Sequence, residues 1–279
     1  MKKLILTSLC VLFVVGTALA DWNPGDPNKY VQMPDLSTNG VDVHCTSHGT
    51  SIAKLADDFL CTTTGYVTDI HIWGSWSGDY LPHQEGSASA ANASFRLSIY
   101  SNIPADGQGY SSPGETLWQH DFSPGDFTVR QYATALEDWY YPLAGQYAPG
   151  EYYQDFESDL WQYNFVATPG TEPEELFHQQ GTPQSPVVYW LGVQAFTPDS
   201  DAQFGWKTST DHWGDDAVFW DPISGSWQEL ICPATDYIGR PLSNGGQSMD
   251  MAFVITPEPA TICLLGLGAL SLLHRKRSA

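Results

Sequence analysis

Residues 67–73 read VTDIHIW, and this short segment decides the fold class. The pattern repeats every two residues and places Thr68, Ile70 and Ile72 on one face. The opposite face carries Val67, Asp69, His71 and Trp73. Such alternation is typical of a β-strand, whose successive side chains point to opposite sides of a sheet. The segment therefore predicts a strand.

The same alternation recurs outward from this segment in both directions. Phe95, Leu97 and Ile99 share one face of a second predicted strand. Further β-rich runs cover residues 116–122, 127–133, 160–167, 187–196, 203–207, 217–220 and 249–255. Clusters of Gly, Pro, Asn and Asp separate these runs, and no segment keeps a helical period beyond about two turns. The pattern predicts an all-β fold, specifically an antiparallel β-sandwich of jelly-roll type.

Composition excludes several classes of function. The chain has 279 residues with 32 Asp and Glu, 11 Lys and Arg, and 42% hydrophobic residues. The hydrophobic content excludes a disordered chain. The acidic excess excludes a nucleic-acid partner, because phosphate binding needs clustered basic residues, and it disfavours anionic membrane surfaces.

The first 20 residues have the organisation of a secretory signal peptide. Lys2 and Lys3 precede an apolar stretch over residues 4–15, and Ala18 and Ala20 flank Leu19 as a small-residue cleavage site. We expect export through the Sec machinery and cleavage after Ala20. The alternative is an uncleaved N-terminal anchor.

Residues 257–279 have the organisation of a second targeting signal, which has three parts. An apolar run over residues 260–273 is 14 residues long. As a helix it would span about 21 Å, short of a hydrocarbon core of about 30 Å. The flanking elements are Pro257, Glu258 and Pro259 before the run and Arg275, Lys276 and Arg277 after it. The basic cluster would hold the C-terminus in the cytoplasm, so the run predicts a short transmembrane sorting helix.

This C-terminal segment closely resembles the PEP-CTERM sorting signal of Gram-negative bacteria. The resemblance implies processing near the Pro-Glu-Pro by an exosortase, a membrane-embedded cysteine transpeptidase. It also implies transient anchoring in the inner membrane, then delivery to the outer surface or the extracellular polysaccharide matrix. A plain C-terminal membrane anchor is the alternative.

Residues 21–256 remain as one β-rich ectodomain. They hold every acidic residue except Glu258 and six of the 11 basic residues, for a formal charge of −25. Residues 55–61, 67–76, 204–209 and 252–256 resemble exported, PEP-CTERM-tailed proteins of planctomycete-like bacteria. That resemblance implies a β-rich ectodomain without an assigned activity, and it supplies no catalytic residues.

Three cysteines lie in the ectodomain, an odd number for an oxidising compartment. A Cys45–Cys61 disulfide would close a short loop and stabilise the fold by about 3 kcal/mol. Pairing Cys61 with Cys232 is the alternative. We expect Cys45–Cys61 to pair and the third thiol to be buried.

An acidic loop predicts a structural calcium site. Asp211, Asp215 and Asp216 offer three carboxylates around a flexible Gly214. Calcium accepts six to eight oxygen ligands in loose geometry, and a strongly acidic domain gains from neutralisation. The alternative is a polar turn between two strands. No other cofactor is predicted.

Aromatic residues at loop positions predict a glycan-binding platform. Flat Trp and Tyr rings provide contact area at low entropic cost and can stack on sugar rings. The candidates are Trp73, Trp76, Tyr80, Trp206 and Trp213. Burial in the core is the alternative, since Trp is strongly buried on average.

The alternation of Asp155, Glu157 and Asp159 would place three carboxylates on one strand face. Glycoside hydrolases need two carboxylates that face the same sugar, so this triplet could serve a jelly-roll hydrolase. The triplet departs from known jelly-roll glycosidase signatures, and a solvated edge is the alternative. No other catalytic motif is recognised.

These observations predict a non-catalytic, exported β-sandwich that is structural or adhesive. We expect exosortase processing, then retention at the cell surface or in exopolysaccharide, with matrix glycans as the most concrete partner. The competing functions are a secreted glycoside hydrolase and a calcium-stabilised scaffold that binds no ligand.

Overall fold

The computed structural model describes residues 21–49, 51–107, 109–142, 150–166 and 176–256, and these residues fold almost entirely as strands. The strands are β1 (Tyr30–Gln32), β2 (Val41–His44), β3 (Thr46–Ser47), β4 (Leu55–Cys61), β5 (Gly65–Tyr66), β6 (Asp69–Trp76), β7 (His83–Gln84), β8 (Ser87–Ala88), β9 (Ser94–Ile103), β10 (Ser112–Phe122), β11 (Phe127–Tyr141), β12 (Glu151–Val166), β13 (His178–Gln179), β14 (Val187–Phe196), β15 (Phe204–Ser209), β16 (Val218–Asp221), β17 (Ser226–Glu229), β18 (Asp250–Met251) and β19 (Phe253–Thr256). Two single-turn 3₁₀ helices are Ser77–Asp79 and Ala90–Asn92. The all-β prediction is confirmed.

The larger sheet closes on itself. Its strand order is β1-β19-β6-β12-β11-β2-β15-β18, and β15 also pairs with β6. Strands β6, β12, β11, β2 and β15 thereby form a barrel-like ring. Within it, β2 and β11 are parallel, and the other four contacts are antiparallel. Because the ring is closed, each of its strands turns one face inward and one outward.

The second sheet has the order β10-β9-β14-β4-β16-β17, and β3 adds to β14 in parallel. Strand β9 turns Phe95, Leu97 and Ile99 into the core, as their alternation predicts. Short pairs β5–β13 and β7–β8 lie outside both sheets.

The main core lies between the outer face of the ring and the second sheet. Phe95 of β9 shows this contact, because its ring lies 4.9 Å from Tyr163 of β12 and 5.1 Å from Phe204 of β15, centroid to centroid. Ile70 and Ile72 of β6 join the same cluster. Fully burying such a side chain contributes about 1.5–3 kcal/mol, so this layer is the main source of stability.

The predicted jelly-roll-like antiparallel sandwich differs from the observed topology. One sheet is closed, and two strand pairs, β2–β11 and β3–β14, are parallel. Alternation in a sequence indicates which side chains share a face. It does not indicate which strands become neighbours, and neighbours set the topology.

The predicted Cys45–Cys61 disulfide is wrong, because both thiols and that of Cys232 are free and buried. The backbone of Cys45 accepts a hydrogen bond from Ala195 of β14, whereas Cys61 pairs with Val187 of the same strand. Eight residues of strand separate these contacts by about 26 Å. A disulfide needs Cα atoms within about 7 Å.

Both predicted targeting segments, residues 1–20 and 257–279, lie outside the described residues. Within the described part of the chain, no helix has the length and apolar character to cross a membrane.

Candidate functional site

An open cleft lies where one end of the ring meets β4 and β16. Its volume is about 390 Å³. The cleft is lined by His44, Ser51, Ile52, Ala53, Lys54, Leu55, Pro142, Phe219, Trp220, Pro222 and Ile223. This volume lies within the usual range for small-ligand pockets. We call it the Trp220 cleft.

Strand β16 forms the aromatic wall of the cleft through Phe219 and Trp220, and β17 supports it from behind as its hairpin partner. Trp220 and Trp227 are directly paired across the two strands, with ring centroids 5.5 Å apart at an interplanar angle of 75°. The Trp220 amide donates a hydrogen bond to the Lys54 carbonyl at 3.0 Å, which ties the hairpin to the segment before β4. The wall is therefore fixed by the sheet rather than by a free loop.

Lys54 and His44 supply the polar character of the cleft. Lys54 Nζ lies 4.5 Å from the Trp220 ring centroid and 4.8 Å from that of Trp227. Burial, with a smaller contribution from Arg96, lowers the pKa of Lys54. Burial lowers the pKa of His44 to about 4, so this imidazole is neutral at physiological pH.

The apolar rim of the cleft is exposed. Ile52 is 43% exposed and Ile223 is 67% exposed. Exposed isoleucines beside a Trp wall give a ligand apolar contact at the rim and aromatic contact inside. The described residues that line the cleft include no Asp or Glu.

The prediction of a glycan-stacking role is wrong for three residues, because Trp73, Trp76 and Trp206 are fully buried. Trp76 Nε1 donates to the Tyr163 hydroxyl at 2.9 Å, and Trp206 Nε1 donates to the Ala252 carbonyl at 2.8 Å. These rings lie on strands of the closed sheet, where both faces are covered.

The two other predicted aromatic residues are more accessible but do not meet. Tyr80 is 42% exposed and packs beside His83, with centroids 5.1 Å apart. Trp213 is half-buried and packs edge-on against Tyr30 at 6.0 Å. Neither lines the Trp220 cleft.

The predicted calcium ligands are hydrogen-bonded to separate partners. Asp211 Oδ2 accepts the Met33 amide at 3.0 Å, and Asp215 Oδ2 accepts the Ser111 amide at 2.8 Å. Asp216 lies beside Glu229. Across the described residues, no three His, Cys, Asp or Glu side chains are arranged to hold a metal ion.

Backbone amides of the loop over residues 211–216 instead donate hydrogen bonds to buried carboxylates beneath the loop. The Asp215 amide donates to Asp58 Oδ2 at 3.1 Å, and the Trp213 amide donates to Asp250 Oδ2 at 3.0 Å. Burial raises the pKa of Asp58 to about 7 and that of Asp250 to about 6. Gly214 permits this approach, since its φ is +77° and a Cβ would lie 2.4 Å from Asp58 Oδ1.

The predicted carboxylate triplet on β12 does not share a face. Asp155 has a φ of +52° at an irregularity in the β11–β12 pairing, and this interrupts the alternation. Asp155 is exposed, whereas Glu157 is buried inside the ring. Asp159 accepts a hydrogen bond from Gln131 at 2.7 Å. The three carboxylates therefore face different surroundings.

The interior of the ring holds a second polar group of residues, which we call the barrel cluster. Each ring strand contributes one member, and none is more than 2% exposed. The members are Asp42 of β2, Ser75 of β6, Glu137 of β11, Glu157 of β12 and Lys207 of β15. Their neighbours in sequence, such as Val41 and Trp206, pack into the main core on the opposite face.

Lys207 forms ion pairs with two members of the barrel cluster. Its Nζ lies 3.2 Å from Asp42 Oδ2 and 3.0 Å from Glu137 Oε1. Ser75 donates a hydrogen bond to Glu137 Oε2 at 2.8 Å. Glu137 and Glu157 are directly opposite across β11 and β12, where two like charges would repel.

Protonation relieves that repulsion. Burial raises the pKa of Asp42 well above its ordinary value, against the opposing effect of Lys207. Burial and then the nearby Asp42 carboxylate raise the pKa of Glu157. Burial alone would lower the pKa of Lys207, but Asp42 and Glu137 raise it above the ordinary value. The cluster therefore combines one amine with two carboxyl groups, Asp42 and Glu157, whose protonated form is favoured by burial.

Sequence reasoning predicted neither the Trp220 cleft nor the barrel cluster, and it named Glu157 only as part of a different carboxylate group. Lys207 follows Phe204, Gly205 and Trp206 in the strand that reads FGWKTS, and Asp42 lies between two valines in VDVH. A charged residue beside apolar strand residues is a usable signal of a buried pair. Trp220 carried no distinguishing signal, because the sequence does not show which tryptophans are covered.

Comparison with known proteins assigns the chain by family. The family described as Domain of unknown function (DUF7901) matches residues 28–256, and the PEP-CTERM protein-sorting motif matches residues 256–277. The second match confirms the predicted C-terminal sorting motif. No curated protein and no solved structure matches the chain. The chain thus belongs to the DUF7901 family, and its PEP-CTERM motif marks it as an exported, exosortase-processed surface protein.

Proposed function

We propose that the ectodomain is a non-catalytic adhesive component of the cell surface that binds extracellular polysaccharide through the Trp220 cleft. The observation that carries the proposal is the cleft itself, which combines a Trp wall fixed by a hairpin with an exposed isoleucine rim. The sorting motif supports an exported surface protein, and extracellular polysaccharide is the ligand that we expect at that surface.

The volume of the cleft is sufficient for one or two sugar units of a longer chain. Its volume of about 390 Å³ is open to solvent, so a polymer can enter and leave at the rim. Sugar rings carry apolar C–H faces that pack on Trp, and hydroxyl groups that need nearby polar partners. Lys54, Ser51 and the neutral His44 imidazole supply such partners.

Charge favours a neutral polysaccharide. The ectodomain carries a formal charge of −25, which repels acidic polymers at long range. Among the described residues that line the cleft, Lys54 is the only charged one, and its ammonium group already lies against two Trp rings. A single partly buried cation does not offset the field of the whole domain.

The proposal is tested by affinity electrophoresis of the exported protein in gels that contain a neutral glucan, a neutral galactomannan or an acidic alginate. We expect retardation in at least one neutral gel and none in alginate. The Trp220→Ala variant should weaken binding by about tenfold, the loss typical of a central aromatic contact.

A matched pair of rim variants separates the cleft from the general surface. Ile223→Ala removes an apolar group from the cleft, where Ile223 is 67% exposed, whereas Ile238→Ala removes one of similar exposure, 60%, elsewhere. Binding should weaken in the first variant alone. Equal retardation of the two variants and the wild type would show that the cleft is not the binding site.

A further inference from the structure

The barrel interior holds an amine and a carboxyl group in position to react. Lys207 and Asp42 are direct partners across β15 and β2, and Nζ lies 3.2 Å from Oδ2. Both side chains are fully buried. Reacting groups held at about 3–3.5 Å gain much of the benefit of an intramolecular reaction, because the entropy of bringing them together has already been lost on folding.

The surroundings favour a neutral product. In water an ammonium group and a carboxylate are both well solvated and do not condense. Inside the ring both ions have lost their hydration, and this penalty is large for a buried pair. An amide carries no net charge and needs only ordinary hydrogen bonds, so condensation removes the penalty.

We propose that Lys207 and Asp42 condense to an intramolecular amide bond that covalently joins β15 to β2.

The reaction balances without an oxidant or a co-reactant. Nζ first gives a proton to a neighbouring carboxylate and becomes a neutral amine. Its lone pair attacks Asp42 Cγ, so the Nζ–Cγ bond forms. One Asp42 oxygen then takes protons and leaves as water when its bond to Cγ breaks. The products are one amide and one water molecule.

Glu137 is placed to move the protons. Its Oε1 lies 3.0 Å from Nζ, and its carboxyl group is close enough to Asp42 to raise the pKa of that side chain. It can therefore accept a proton from nitrogen and donate one to the departing oxygen. Ser75 holds the other oxygen, Oε2, at 2.8 Å and fixes the orientation of the group.

An amide at this position would suit a surface protein. The three cysteines of the described fold are free, so these residues contain no disulfide that resists unfolding. The proposed bond would connect residues 42 and 207 through a linkage that reducing conditions do not break. It would also keep the ring of five strands closed.

Peptide mapping of the purified full chain tests the proposal without any substitution. Trypsin cuts after Lys29, Lys54, Arg130 and Lys207 in an unmodified chain. We expect Lys207 to remain uncut, and the peptide 30–54 to be joined to the segment that begins at Gln131. The joined mass should equal the sum of the two peptides less one water molecule. Lys54 is the internal control and should be cut normally.

Two other mapping results would overturn the proposal. Full cleavage after Lys207, with an unaltered peptide 30–54, would show that the pair is only an ion pair. An uncut Lys207 without attachment of peptide 30–54 would show a bond to Glu137, which lies in the same tryptic peptide as Lys207.

Variants then test the chemistry. Asp42→Asn should give the same joined mass, because ammonia leaves in place of water, whereas Asp42→Ala should give none. Glu137→Gln should fold with the same circular dichroism spectrum but leave the peptides unjoined. Joining at the wild-type rate in Glu137→Gln would contradict the proton-transfer role of Glu137.

Discussion

Lys207 and Lys54 place the same amine in two contrasting surroundings. Lys207 is sealed inside the ring of five strands and contacts carboxyl groups. Lys54 lies at an open cleft and contacts the faces of two Trp rings. The carboxyl groups raise the pKa of Lys207 against burial, whereas burial lowers that of Lys54. The enclosed amine can therefore react only with its neighbours in the ring, whereas the amine at the cleft is accessible to a ligand.

Removal of each amine should give the largest difference between the two regions. Lys207→Met removes the only basic member of the barrel cluster, whether it is an ion-pair partner or part of the proposed amide. Removal of one partner of a buried pair costs about 3–5 kcal/mol of unfolding free energy. Lys54→Met should cost about 1 kcal/mol or less, the size of an exposed cation–π contact. Urea unfolding of both variants measures the two values, and equal losses would contradict the contrast.

Glycine-to-alanine substitutions should give a smaller difference in unfolding free energy between the ring and the cleft. A Cβ at Gly205 would lie 2.7 Å from Trp139 Cζ3 and 3.0 Å from Asp42 Cβ, so Gly205→Ala should cost about 1–3 kcal/mol by overpacking the ring. Gly225, in the turn beside the cleft, has φ +67° and no atom within 4 Å of a Cβ. Gly225→Ala should therefore cost only the strain of a positive φ, about 1 kcal/mol.

Thermal unfolding of this glycine pair provides the check. The melting temperature should fall further for Gly205→Ala than for Gly225→Ala. A larger fall for the cleft variant would mean that the ring interior is less tightly packed than the distances indicate.

The smallest of the expected differences is in how the stability of the ring changes with pH. The pKa of Glu157 is raised in the folded protein, so the folded state holds this proton to higher pH than the unfolded state does. Its contribution is complete below the ordinary pKa near 4.5 and is lost as pH rises through the folded pKa. Glu157→Gln cannot ionise and should lose less stability on going from pH 5 to pH 8.

Urea midpoints of wild type and Glu157→Gln across that range measure this effect, with an expected difference of about 1 kcal/mol. Asp159→Asn is the matched control, because Asp159 lies on the same strand outside the ring and should leave the slope unchanged. A wild-type protein that gains stability as pH rises would contradict the assignment.

The sequence predicted the all-β class and the faces of individual strands, because alternation is a local property. Phe95, Leu97 and Ile99 lie in the core as their spacing requires. The closure of the ring depends on pairings such as β6 with β15, more than 120 residues apart, and no local pattern encodes it.

The sites were harder to predict for the same reason. Trp73 and Trp220 are both aromatic residues in strand-like runs, yet one is fully buried and the other lines the cleft. Their difference arises from sheet neighbours rather than from adjacent residues. Targeting was the opposite case, because the PEP-CTERM motif is short, local and specific, and the family comparison confirms it.

Oxidative footprinting of the exported protein with a neutral glucan or galactomannan shows directly whether polysaccharide occupies the Trp220 cleft. The polymer should lower modification of Trp220 and Ile223, while Ile238 should be modified to the same extent with and without it. Unchanged modification of Trp220 and Ile223 in the presence of every neutral polymer would contradict binding at the cleft.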